Sequence, residues 1–478
     1  MQINPLVYRG YDIRGVAGED FTPEKVEALG RGFGTMLRKR KIRQMVLGYD
    51  ARLTGPEYSE AFAKGVISTG VDVIDIGMVM IQTIYFAQYY FQVNGAVMIT
   101  ASHNPASDNG FKMGMRFSQT IVEEIQELKD IVASDAYWDK DDLVGTIRKD
   151  DVNEAYYQDI IKRSNITKKF KVVVDTGHGV AGKFIPELLE KVGCEVVGQM
   201  LEPDGSFPAG TPDPTDNEMI KRVQERVKKE NADLGFAFDG DGDRIGIVDD
   251  QGEVIWNDEL LAIFAREILT RFPGAKIIYN TLCSQAVKKV IEQYKGEPIM
   301  WRVGHSYLKE KLVAEKAFFA GELSGHMFFA DNFYGHDDGS FVACRLLDFL
   351  SEVDKPLSEV RKEMPQYISS PQIKIGCDDK KKIEVIKRLA QEFRDDFKGA
   401  EITDDTVIPG DDGVRADFDD GMIVLRYSQN GPYVTFKFEA SNEDVYEERR
   451  LYLKEKLQAV EELEWESNHS TNADFILK

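Results

Sequence analysis

The chain runs to 478 residues, with 60 Lys and Arg against 82 Asp and Glu and a formal net charge of −22. A surface this acidic repels nucleic acid phosphates and anionic membranes, which sets both aside as partners and leaves a small anionic ligand dependent on a local basic pocket. With 42% hydrophobic and 30% charged residues, and a length well beyond the roughly 100 to 200 residues of one domain, the sequence predicts about three or four globular domains.

The four cysteines, Cys194, Cys283, Cys344 and Cys377, are far apart and lack C-x-x-C spacing, which argues against a zinc site or a disulfide framework. They suit a reducing cytoplasm. The N-terminus has no basic region followed by an apolar stretch, and no window approaches the ~18 apolar residues of a membrane span. A soluble, cytoplasmic protein is expected.

From about residue 45, short apolar runs alternate with amphipathic stretches: a strand at 45–48, a helix at 57–68, and strands at 71–76 and 96–100. This is the grammar of βαβ units. The rhythm restarts with a strand at 171–175, a turn carrying Gly177, Gly179 and Gly182, a helical pattern to Val192, and strands at 234–238 and 245–248. A third unit follows Trp256, with a helix at 259–269, a strand at 276–279 and further alternation through 318–321 and 339–350. Beyond Pro365 the order changes to a short strand, a helix near 380–393, strands at 422–426 and 433–439, and a final helix. That order predicts an α+β domain.

Four stretches carry candidate chemistry. Thr100-Ala101-Ser102-His103-Asn104-Pro105 lies where a strand runs out into a loop, with Lys112 just beyond. Serine is a poor nucleophile unless a base, a metal or an attached phosphoryl group changes its role, and the same residues also suit an Asn-Pro turn. A serine hydrolase is set aside because the G-x-S-x-G elbow is absent. In Asp239-Gly240-Asp241-Gly242-Asp243-Arg244, alternating glycines let a tight loop aim three carboxylates at one point. Their repulsion calls for a hard divalent cation, and oxygen-only ligands favour Mg²⁺ or Ca²⁺ over zinc, although the same residues also suit a solvated acidic hairpin turn. An EF-hand fails, since Arg244 and Asp250 stand where glycine and glutamate are required. Gly321-Glu322-Leu323-Ser324-Gly325-His326 offers groups that could hold sugar hydroxyls, or an ordinary polar turn, and His305 could begin a helix. Arg426-Tyr427-Ser428-Gln429-Asn430-Gly431-Pro432 matches a phosphate site or a plain hairpin loop.

In this order, together with Arg9-Gly10-Tyr11-Asp12-Ile13-Arg14-Gly15 and Gly48-Tyr49-Asp50-Ala51-Arg52, these stretches resemble the α-D-phosphohexomutase family, especially its bacterial phosphomannomutase/phosphoglucomutase branch. The resemblance covers almost the whole chain. It implies an α/β protein of three successive α/β domains with mixed sheets plus a C-terminal α+β domain, arranged around a central cleft. The expected boundaries are 1–148 for the phosphoserine domain, 149–254 for metal, 255–366 for sugar, and 367–478 for phosphate with an acidic tail.

By the same resemblance Ser102 carries a phosphoryl group and binds Mg²⁺ through it, with Asp239, Asp241 and Asp243. Arg14, Lys112 and Arg244 supply positive charge, and Lys112, His326 and His103 are candidates for proton transfer. Tyr11, Arg244, His305, Glu322 and Ser324 are expected to contact the substrate, whose non-reacting phosphate falls to Arg426, Ser428 and Asn430. The chain departs from the family pattern at Asn430 and Gly431, where threonine and then threonine or glutamate are usual, and at Leu282, where a lysine is often found.

The expected reaction interconverts hexose 1-phosphate and hexose 6-phosphate, of mannose or glucose, through phospho-Ser102 and a hexose 1,6-bisphosphate that serves as intermediate and activator. The expected partners are hexose phosphates alone, with the chain a monomer or homodimer. Phosphoglucosamine mutase, a non-catalytic sugar-phosphate-binding protein and a metal phosphatase are the alternatives.

Overall fold

The computed structural model describes residues 3–10, 12–117, 121–139, 142–429 and 431–477. The chain forms two compact units, Met1–Ile255 with Ser324–Glu359, and Trp256–Leu323 with Val360–Lys478. Among the described residues no helix is long and apolar enough to cross a membrane.

Two mixed sheets form the first unit. The first runs, edge to edge, Ile13–Val16, Asp108–Gly114, Gly95–Ile99, Gln44–Tyr49, Asp72–Met78 and Ile147–Lys149. Its central strands pair in parallel, whereas Asp108–Gly114 runs antiparallel to both of its neighbours. The strand Gly95–Ile99, at the centre of the sheet, is buried along its whole length, as a strand covered on both faces must be. Phe21, Phe33, Phe62 and Phe111 anchor the core, with Phe62 stacked on Phe111 at 5.6 Å between centroids. The second sheet runs Val254–Ile255, Ile245–Val248, Leu234–Phe238, Lys171–Asp175 and Glu195–Gln199, and covers a smaller core of Val173, Val223, Val227 and Ala237.

The strand periodicities hold to within a few residues, but two helices escape them. Pro23–Lys39 is capped by Thr22, whose hydroxyl accepts from Lys25 N, and opens on Pro23. Gly30, Gly32 and Gly34 dilute its helical propensity, although Val26, Leu29, Phe33, Met36 and Leu37 form a clear buried stripe. Ile81–Phe91 has little amphipathic pattern, because residues 81–88 are buried on every side of the helix.

In the second unit, Glu297–Trp301, Lys276–Asn280 and Phe319–Gly321 pair in parallel. An antiparallel sheet follows in the order Glu401–Asp404, Gly413–Phe418, Gly421–Tyr427, Tyr433–Ala440, Ile373–Cys377 and Leu463–Glu464. The helices Lys382–Asp396 and Glu443–Gln458 contribute Phe393 and Leu453 to its core, giving the α+β order that the sequence predicts. Buried polar ties join the two layers: Lys437 Nζ lies 2.7 Å from Asp258, and Arg415 donates to the carbonyls of Thr281 and Cys283 at 2.8 and 2.5 Å.

Candidate active site

Ser102 and the carboxylate loop meet within the first unit. Ser102 follows the strand Gly95–Ile99, and residues 239–244 join the strands Leu234–Phe238 and Ile245–Val248. Loops at the carboxyl ends of such strands are where α/β folds gather functional groups. Gly240 makes the approach possible, because a Cβ there would lie 2.4 Å from the Ser102 carbonyl oxygen.

Ser102 is a non-glycine residue in the left-handed region, at φ 50° and 2% exposed. Such a conformation costs roughly 1 to 3 kcal/mol and persists only where surroundings enforce it. Here the enforcing group is Arg52, 1% exposed. Its guanidinium donates to the carbonyls of Ser102 and Asn104 at 2.8 and 2.7 Å, and to those of Pro105 and Asp108 at 2.6 and 2.8 Å. Asp50 completes the support by accepting from Arg52 N at 2.9 Å and from Thr100 Oγ1 at 2.6 Å. Burial pushes the Asp50 carboxyl up to about 6, although Arg52 and the Thr100 hydrogen bond oppose it.

The hydroxyl of Ser102 donates to Asp239 Oδ2 at 2.7 Å and lies 3.2 Å from His103 Nδ1. Asp239 also accepts from Arg244 Nε at 2.9 Å. Lys112 Nζ stands 2.8 Å from Asp241 and 2.7 Å from Asp243. Arg14 donates to the Ala101 carbonyl at 3.1 Å and to Asn104 Oδ1 at 3.0 Å, and its Nε pairs with Asp12 at 2.6 Å. His326 Nδ1 lies 2.9 Å from Asp337 and 3.7 Å from Asp243.

The three loop carboxylates are fully buried. Burial, opposed by Arg244 and reinforced by Asp243 and Asp241, pushes the Asp239 carboxyl well above the usual range. Burial acts on Asp241 as well, yet Lys112 and Arg14 hold its carboxyl below that range. Burial likewise disfavours the charged Lys112, but Asp241 and Asp243 overcome it and keep the ammonium charged.

The donor set fits a hard cation. One ligand atom from each of Asp239, Asp241 and Asp243 lies within 4.8 Å of the others, and Asp241 Oδ1 and Asp243 Oδ1 are buried without a hydrogen-bond partner among the described residues. Buried carboxylate oxygens are rarely left so, and a divalent cation would satisfy both.

The other predicted residues fall into local groups. In the second unit, Glu322 is buried at the end of the strand Phe319–Gly321, and its Oε1 accepts from Asn280 Nδ2 at 3.1 Å and Gly304 N at 2.8 Å. His305 is buried and begins the helix His305–Glu315. Arg426 is the penultimate residue of the strand Gly421–Tyr427, where Asp412 accepts from its Nε at 2.7 Å and pairs with a second guanidinium nitrogen. Gly431 N donates to Ser428 Oγ at 3.1 Å and its carbonyl accepts from Lys382 Nζ at 2.8 Å, so the loop is tied on both sides of the glycine. Leu282 is buried at 2% exposure. Ser324 is half-buried in the first unit. Tyr11 and Asn430 lie outside the described residues.

Sequence reasoning assigns no role to Arg52, Asp50 or Asp337. Arg52 and Asp50 lie in a stretch that the resemblance includes, but nothing local says that Arg52 holds backbone carbonyls, and Asp50 the Thr100 hydroxyl, some 50 residues later. Asp337 stands 11 residues beyond His326 in a loop with no distinguishing spacing.

A serine beside a buried carboxylate loop and several cations defines apparatus for phosphoryl transfer. The profiles described as Phosphoglucomutase/phosphomannomutase, alpha/beta/alpha domains I, II and III match residues 6–137, 154–252 and 256–367. A Pseudomonas aeruginosa protein named phosphomannomutase/phosphoglucomutase is 38% identical over 458 residues, covering 95% of this chain and 96% of that one. A Neisseria gonorrhoeae phosphoglucomutase is 35% identical over 460 residues, covering 96% of this chain and 98% of that one. The crystal structure of a phosphoglucomutase/phosphomannomutase family protein from Burkholderia thailandensis matches with a TM-score of 0.85 at 35% identity, covering 97% of this chain and all of that one. The chain belongs to the phosphoglucomutase/phosphomannomutase family of α-D-phosphohexomutases.

Arg52→Met should strip donors from four carbonyls of the serine loop while preserving an apolar stem. Hydrogen exchange at the amides of residues 102–108 is expected to quicken by about tenfold or more, matching a loss of at least ~1.4 kcal/mol of local protection. Unchanged protection there would contradict the role given to Arg52.

Proposed function

We infer that the chain interconverts hexose 1-phosphates and hexose 6-phosphates, of glucose and mannose, with Ser102 as the phosphoryl carrier. The observation that carries the assignment to Ser102 is its hydroxyl, 2.7 Å from Asp239 in a loop with two further buried carboxylates and two unsatisfied oxygens. In the first half of the reaction the P–O bond to Ser102 breaks as a bond to the free C6 or C1 hydroxyl forms. The hydroxyl proton passes to a base and Ser102 Oγ regains one. The resulting hexose 1,6-bisphosphate turns end for end. In the second half the P–O bond at the other end of the sugar breaks as the bond to Ser102 Oγ re-forms, with the protons moving the opposite way.

Mg²⁺, held by Asp239, Asp241 and Asp243, would neutralise charge developing on the phosphoryl oxygens. Lys112 and Arg244 add positive charge beside those carboxylates, while Arg14 braces the serine loop. His326, whose Nδ1 lies 2.9 Å from Asp337 and 3.7 Å from Asp243, is an imidazole beside the carboxylate loop that suits proton transfer. His103, at 3.2 Å, is the imidazole placed against Ser102 Oγ. Glu322, Ser324 and His305 serve the sugar, Tyr11 assists them, and Arg426, Ser428 and Asn430 hold the phosphate that does not react.

The four expected domains, 1–148, 149–254, 255–366 and 367–478, are part of this proposal, as are a cytoplasmic location and a monomeric or homodimeric state. The preference for glucose and mannose follows the names of the relatives. Parallel assays of glucose 1-, mannose 1- and glucosamine 1-phosphate discriminate it from phosphoglucosamine mutase.

Ser102→Ala should lower mutase turnover by at least about a thousandfold while leaving the fold and Mg²⁺ binding intact. Turnover close to wild type would rule out Ser102 as the carrier. Mg²⁺ affinity should also depend on pH, because the cation needs ionised carboxylates and the raised Asp239 holds its proton into the neutral range. Lowering pH from about 8 to about 6 is therefore expected to weaken binding, by up to about tenfold per unit for each proton displaced. Calorimetry in buffers of different ionisation heat measures both affinity and proton release, and an affinity flat over that range would contradict the argument.

A further inference from the structure

We propose that Gln82 is a positioning residue that clamps the backbone of the carboxylate loop and thereby sets its affinity for Mg²⁺, an inference resting on the reading of that loop as the cation site. The helix Ile81–Phe91 begins after Met80, which supplies no side-chain cap. The first N–H groups of a helix need acceptors from elsewhere, and Ile81 N finds the Asp241 carbonyl at 3.1 Å. One residue on, Gln82 Nε2 donates to the Gly242 carbonyl at 2.9 Å and to Ser340 Oγ at 3.2 Å. A carbonyl can only accept, so the amide nitrogen must face it. The start of one helix thus holds two consecutive carbonyls of the loop.

The surroundings leave the Gly242 carbonyl little alternative. Gln82 is fully buried, which denies water the chance to replace its amide. Across the carbonyl stands Gly339, where a Cβ would lie 2.7 Å from the Gly242 oxygen. These contacts act on the peptide units between Asp241 and Asp243, whose Oδ1 atoms have no hydrogen-bond partner among the described residues. Glycines on either side of Asp241 give the loop no stiffness of its own. Its aim therefore depends on what grips its backbone. Without the Gln82 amide, the buried carbonyl would have to turn in search of a donor, and both carboxylates would turn with it.

Mg²⁺ titration calorimetry on Gln82→Met and Gln82→Asn tests the clamp, with Ile84→Val as a control that disturbs the same helix without touching the loop carbonyls. Outer groups that orient metal ligands commonly govern about 10- to 100-fold in affinity. Both Gln82 variants should fold and raise the Mg²⁺ Kd at least about tenfold, whereas Ile84→Val keeps the wild-type value. The clamp is overturned if the Gln82 variants stay within about twofold of wild type, if Ile84→Val weakens binding as much, or if neither Gln82 variant folds. Wild-type protein that takes up no Mg²⁺ would overturn the cation reading itself, whereas wild-type binding shared by the variants would overturn the clamp alone.

Discussion

Three carboxylates buried side by side are the constraint around which the first unit is organised. Asp239, Asp241 and Asp243 are all at 0% exposure, and placing several like charges out of water is among the costliest arrangements a protein can adopt. Lys112 is correspondingly drawn to within 2.8 Å of two of them and Arg244 to 2.9 Å of the third. Even so, two carboxylate oxygens lack donors among the described residues. The folded chain thus carries a concentration of negative charge that its own cations only partly answer, a balance that a bound divalent cation would complete.

The serine loop shows a related tension between local preference and global requirement. Ser102 adopts a left-handed backbone that a free chain would avoid, and Arg52 gathers four carbonyls around one buried guanidinium to hold it there. Arg52 in turn is 3.4 Å from Asp50, which is tied to Thr100 two residues before the serine. The strand Gln44–Tyr49 ends just before Asp50 and pairs with Gly95–Ile99, so sheet register itself delivers these groups to the loop. The position of the hydroxyl is therefore a property of the sheet, rather than of the six residues around it.

Much of this is legible in the amino-acid sequence. The loop at 239–244 declares itself because a repeated Asp-Gly spacing between two strands has few other physical uses, and the strand Leu234–Phe238 and its partner Ile245–Val248 lie where periodicity puts them. Ser102 read alone is equally an Asn-Pro turn, and only the order of motifs gives it a role. What stays hidden acts through tertiary contact: the hold of Arg52 on distant carbonyls, the pairing of Asp337 with His326, and the reach of Gln82 to Gly242. Each is a common residue type in an ordinary stretch, and its meaning arises only when the fold brings its partner near. The helix Pro23–Lys39 is missed for a different reason, since Gly30, Gly32 and Gly34 lower its helical propensity although its apolar stripe is well formed.

The central claim is that Ser102 carries the phosphoryl group. Dephosphorylated protein incubated with glucose 1,6-bisphosphate and Mg²⁺, then digested and mapped by mass spectrometry, tests it most directly. The account predicts one phosphoryl group, located on Ser102 and lost again when glucose 1-phosphate is added as acceptor. Turnover that proceeds with the group on another residue, or with none, would contradict it.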